Sequence, residues 1–138
     1  MNSPTNPVER SRLIFGLATV LVVGAGLLLR SGLLPLPDFA TKYGGDALWA
    51  LAVFLGFGCA FRRSPTAQIA LAAITFAWSV EFLQLYHASW LDAIRSTRLG
   101  RLALGASFHW PDLVAYAVGV AGGAFTECIW MREQQRID

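Results

Sequence analysis

The chain has 138 residues, 55% of them hydrophobic and 14% charged, with a mean hydropathy of +0.50 and a formal net charge of +2. Soluble domains carry about 25% charged residues, so this composition argues against a water-soluble domain and predicts a membrane protein. The basic residues do not interleave with aromatics as a nucleic-acid groove requires, so nucleic acid is not an expected partner.

Residues 1–12 open with the polar stretch MNSPTNPVE and are read as a disordered cytoplasmic tail. The first apolar run is 13–29, closed by Arg12 and Arg30. Its 17 residues exceed the roughly 7–15 of a signal-peptide core, and no A-x-A site precedes Arg30. It is therefore expected to stay as a transmembrane helix. Residues 31–45, with Pro35, Pro37 and the pair Gly44-Gly45, read as a punctuated loop.

A second span is expected over 46–61, stopping at Arg62-Arg63. A tight hairpin follows, with Pro65 as the helix-start signal, and leads into a third span at 67–86. The 25 residues from His87 to Pro111 are too many for a structureless loop in a compact protein. They open Ser89-Trp-Leu-Asp92, a capping-box-like start, with Trp90, Leu91 and Ile94 apolar and Asp92, Arg95 and Arg98 polar. One or two short amphipathic helices lying in the interface are expected here, broken at Gly100 and Gly105. The fourth span is 112–131, and 132–138 forms a short polar tail. The predicted fold is thus all-α, a polytopic four-helix transmembrane bundle with an interfacial segment between its third and fourth helices.

Basic residues set the orientation. With both termini inside, Arg10, Arg12, Arg62, Arg63, Arg132 and Arg136 are cytoplasmic, and Arg30, Lys42, Arg95, Arg98 and Arg101 are outside, six against five. The short Arg-rich connections favour this N-in, C-in topology. Small-residue pairs at Ala52/Gly56, Ala73/Ala77 and Gly119/Gly123 allow close helix approach, and the last is a candidate surface for a homo-oligomer. Cys59 and Cys128 are isolated in apolar runs, while His87 and His109 lack ligand spacing, so neither a metal nor a cofactor is expected.

Glu81 is the hardest residue to explain blandly. A carboxylate inside a span costs up to about 2.5–3.5 kcal/mol on insertion scales, and Gln84 lies one turn on along the same face. Four alternating spans bring the start of the second, the end of the third and the start of the fourth to one membrane face. Asp46, Glu81, Gln84 and Asp112 therefore converge there, beneath a segment carrying Arg95, Arg98 and Arg101. Asp46 and Asp112 also suit helix starts, where a negative charge favours the dipole. If one of those arginines reaches Glu81, the pair is a brace or an anion-recognition element. If none does, Glu81 becomes a candidate acid or proton carrier.

These residues form a pattern. Gly45-Asp46-x-x-Trp49, Glu81-x-x-Gln84 and Leu104-Gly105-x-Ser107-Phe108-x-Trp110-x-Asp112-Leu113-x-x-Tyr116-x-x-Gly119 resemble a bacterial membrane-protein family catalogued as domain of unknown function 2809, over about residues 13 to 130. A looser similarity links Asp46, Glu81, Gln84, Asp112 and Gly119 to VanZ-like proteins. The chain departs from the VanZ-like pattern where Ala50 replaces a histidine and Tyr116 an asparagine. These resemblances imply a protein of the bacterial plasma membrane without assigning it a reaction.

The first functional expectation is a binding protein for a lipid headgroup or a lipid-linked cell-wall precursor at the outer face. Arg95, Arg98 and Arg101 would meet phosphate and the carboxylates an amine or divalent ion, with Trp49, Trp90, Trp110 and Tyr116 as interfacial walls. The alternatives are an intramembrane enzyme using Glu81 or Asp112 as general acid or base, and a small proton- or ion-coupled carrier.

Overall fold

The computed structural model describes residues 9–137. Six helices follow in order: α1 (Arg12–Arg30), α2 (Asp38–Ala60), α3 (Thr66–Leu83), α4 (Ser89–Ser96), α5 (Arg98–Leu104) and α6 (Trp110–Ile137). There is no strand among the described residues. α1, α2, α3 and α6 are long and apolar enough to cross a membrane, and α4 and α5 form the amphipathic segment between the last two of them.

α2 is the centre of the bundle. It packs on α1, α3 and α6, and α3 packs on α6, so three helices form a closed triangle with α1 leaning against α2. The core holds Ala50, Phe54, Ile69, Ala73, Ala77, Tyr116 and Val120, with Trp49 stacked on Phe76 and Phe57 edge-on to Phe76 at its margin. Most of α1 faces outward, with Leu13, Leu17, Val20 and Leu21 exposed. Water would penalise such a surface, whereas hydrocarbon does not.

The small residues are used inside the chain. A Cβ at Gly119 would collide with the Ala47 carbonyl, and one at Gly123 would meet Leu51 Cδ1 at 2.7 Å. α6 thus lies almost backbone to backbone on α2. Within the chain, both Gly119 and Gly123 are packed against α2.

Several boundaries differ from expectation. α2 begins at Asp38, so Asp46 lies inside the helix rather than opening it. Pro37 pre-sets the helix entry and Asp38 complements its dipole. Gly44 and Gly45 stay helical because the end of α1 presses on them: added Cβ atoms would sit 3.0 Å from Leu29 Cδ2 and 2.5 Å from Arg30 Nε. The amphipathic segment breaks at Thr97, whose extended backbone ends α4 and whose hydroxyl accepts from Gly100 N at 3.0 Å. Gly100 lies within α5, and Gly105, at φ +69°, ends it. α3 ends at Leu83, short of Tyr86. α6 continues to Ile137, so the expected polar tail is helical through that residue.

The expected tail at 1–12 lies partly outside the described residues, which begin at Glu9. Arg10, by contrast, is a structural centre, only 2% exposed. Its Nε bonds Glu127 Oε1, its Nη1 donates to Ser64 O at 2.5 Å and its Nη2 to Thr66 Oγ1 at 3.3 Å. Longer bonds reach the Phe61 and Arg62 carbonyls, so one guanidinium satisfies the end of α2 and the following turn. Arg62 returns a bond to Arg10 O at 2.9 Å and pairs with Glu9 at 2.9 Å.

Candidate functional site

At the opposite end, α1 stops, α2 starts, α3 stops and α6 starts. Two polar assemblies fill that end. The first is a ladder of alternating charge. Arg30, in the last turn of α1, bonds Asp46 Oδ1 on α2. Lys42, one turn before Asp46, lies 3.9 Å from its Oδ2 and bonds Asp112 Oδ1 in the first turn of α6. Two cations and two carboxylates therefore join three helices and neutralise one another. Asp46 Oδ2 has no hydrogen-bond partner among the described residues, because Lys42 is drawn toward Asp112.

The second assembly encloses Glu81, which is 0% exposed. Gln84 Nε2 donates to Oε2 at 2.8 Å, Tyr116 OH donates to Oε2 at 2.9 Å, and the His109 backbone N–H donates to Oε1 at 2.8 Å. Hydrogen bonds to a carboxylate are worth roughly twice those between neutral groups. The three donors come from the end of α3, the entry to α6 and α6 itself, so Glu81 ties the third and fourth spans together. Gln84 is seated against Gly105, where a Cβ would fall 2.5 Å from its Nε2. Tyr116 is packed by Trp49 at a ring separation of 5.3 Å.

Glu81, Gln84, Tyr116 and Trp49 thus meet in one assembly, and Asp46 and Asp112 are joined through Lys42 in the other. The arginines of the α4–α5 segment do not join them. Arg95 is buried, yet its guanidinium turns to the end of α3, donating to Leu83 O at 2.6 Å and Tyr86 O at 2.9 Å. It also pairs with Asp92 at 3.2 Å, and so it caps a helix instead of reaching Glu81. Arg98 and Arg101 are exposed and form no ion pair with any described residue. They stand with Arg30, Ser96 and Leu102 around a polar pocket of about 360 Å³. Trp90 and Trp110 are exposed, 63% and 68%. Trp110 packs edge-on to Phe108 and Phe82, away from the carboxylates.

Arg30 and Lys42, placed on this face by topology alone in the sequence, turn out to be the partners of Asp46 and Asp112. Their signal was available: Lys42 and Asp46 have i, i+4 spacing once the helix is extended back through Gly44. Glu127 is likewise a lone carboxylate within a span, near its end as Glu81 is, and the insertion cost that singles out Glu81 applies to it too.

Residues 35–120 match the family described as protein of unknown function DUF2809. The chain belongs to this family. The DUF2809 region runs from the entry of α2 to the middle of α6, and so contains Lys42, Asp46, Glu81, Gln84, Asp112 and Tyr116. Arg10, Arg30 and Glu127 lie outside it. Within DUF2809 boundaries, then, the Glu81 assembly is self-contained, whereas the charge ladder takes its last rung from α1. No solved structure matches the chain.

Proposed function

We propose that this protein is a non-catalytic, polytopic protein of the bacterial plasma membrane, N-in and C-in, that binds a lipid headgroup or a lipid-linked envelope precursor at the outer face. One observation carries the reading. The carboxylates of the site are matched internally by Arg30, Lys42 and neutral donors, while Arg98 and Arg101 stand uncompensated at the level where the spans end. Uncompensated guanidiniums at that level suit phosphate.

On this reading the Glu81 and Asp46–Asp112 assemblies are the frame and the arginines the contact surface. Glu81 has no exposed atom surface through which a substrate would approach, and no observation favours the enzyme or carrier alternatives. Native mass spectrometry of detergent-purified protein tests the proposal. Discrete lipid adducts should survive activation, and Glu81→Gln, which puts an amide against converging donors, should weaken them while the protein still purifies as a helical bundle. A wild-type protein that sheds every lipid at the lowest activating energy ends the idea.

A further inference from the structure

The polar pocket does not stand alone. Beneath it, between α1, α2 and α5, lies a cavity of about 330 Å³ lined by Val22, Leu27, Leu48, Leu102 and Ala103, among other apolar residues. Arg30 and Leu102 belong to both, so the two spaces adjoin. Each falls near the lower end of the roughly 300–1,000 Å³ common for ligand sites.

We infer that these two spaces are one binding site for an anionic phospholipid, its phosphate among Arg30, Arg98 and Arg101 and one of its acyl chains in the α1/α2/α5 cavity. The inference rests on the lipid-binding reading above and gives it a place and a chemical class. Asp46 cancels one of the three positive charges and, through its bond, holds Arg30, which lines both spaces. Two uncancelled charges remain on Arg98 and Arg101, from adjacent turns of α5. They suit a phosphate that carries no balancing amine, and a choline headgroup would bring its own cation against them. Guanidinium and phosphate oxygens pair in a planar, two-bonded fork, which lysine cannot reproduce. A free anion would use only the upper space, whereas a lipid uses both, which is why the occupant is assigned as lipid.

The full-length protein in detergent would be titrated with phosphatidylglycerol, with phosphatidylcholine of the same chains, and with soluble glycerol 3-phosphate, and the complexes read by native mass spectrometry. Phosphatidylglycerol should bind the wild type well above phosphatidylcholine. Arg98→Gln/Arg101→Gln should lower phosphatidylglycerol affinity by roughly thirtyfold, at about a kcal/mol per interfacial basic residue. Both side chains are exposed, so the helical circular dichroism and melting point should not change. Ala103→Trp, on an exposed face of α5, should fill the cavity and weaken phosphatidylglycerol binding too.

Unchanged phosphatidylglycerol binding in the double arginine variant, with lipid still retained, overturns this site and leaves the broader lipid reading standing. Loss of all lipid adducts from the wild type overturns both. Glycerol 3-phosphate binding as tight as phosphatidylglycerol, with Ala103→Trp silent, would make the pocket an anion site without an acyl chain and overturn the assignment.

Discussion

Arg10 and Glu127, separated by 117 positions in sequence, bond to each other in the interior at the end of the bundle away from Glu81. Both are almost fully buried, and Glu127 Oε2 has no hydrogen-bond partner among the described residues. Removing one member of a buried pair leaves an uncompensated charge, which costs about 3–5 kcal/mol in soluble proteins. Arg10→Met alone, or Glu127→Leu alone, should therefore lower the unfolding midpoint in detergent substantially. The double variant Arg10→Met/Glu127→Leu should be more stable than Glu127→Leu alone by the part due to the unpaired charge, while the Arg10 bonds to Ser64 O and Thr66 Oγ1 stay lost. A single variant that melts like the wild type would show the pair to be idle.

The Glu81 assembly predicts a coupled response. Tyr116→Phe keeps the ring against Trp49 and removes one of three donors, at about 1.5–3 kcal/mol for a bond to a charged acceptor. Glu81→Gln removes the acceptor that all three share. The two changes should be non-additive by at least about 0.5 kcal/mol in a double-mutant cycle on unfolding free energy. Strict additivity would mean that Tyr116 and Glu81 do not bond.

Two glycines should separate close packing from helix propensity. Gly119→Ala places a methyl on the Ala47 carbonyl and must push α2 from α6, at about 1–3 kcal/mol or more. Gly56→Ala meets nothing within 4 Å and should be neutral or stabilising, by up to roughly 1 kcal/mol from helix propensity. Equal effects at the two positions, read as melting temperatures, would contradict the α2–α6 contact.

Orientation is tested with single cysteines in a Cys59→Ala/Cys128→Ala background. Ser107, exposed beyond α5, and Gln134, exposed near the end of α6, lie at opposite ends of the bundle. Ser107→Cys should react with an impermeant maleimide in intact cells, and Gln134→Cys only after lysis. The reverse pattern would invert the N-in, C-in proposal.

The convergence of Asp46, Glu81, Gln84 and Asp112 was legible in the sequence because alternation of four spans depends only on counting them. Local punctuation misled at Gly44-Gly45, where glycine marks close packing by α1 and not a turn. The direction of Arg95 was not legible. It follows from how α4 folds back over the end of α3, and an eight-residue helix after a short turn has no periodicity that fixes this. Arg10 was hidden for a related reason: a lone arginine beside a polar stretch looks solvated until Glu127 is brought to it from the far end of the chain.

The polar bonds also decide where the bundle can give. α6 is fastened at both ends, by Lys42 and Glu81 at one and by Arg10 at the other, and its middle is locked to α2 at Gly119. α1 is tied near its tips, by Arg10 just before it and by Arg30 in its last turn. Between Phe15 and Leu29 it makes no hydrogen bond to another helix among the described residues. Acyl chains pack against leucine about as well as leucine packs against itself. The middle of α1 is therefore held to α2 by apolar packing without hydrogen bonds among the described residues, a contact of the kind that hydrocarbon also makes.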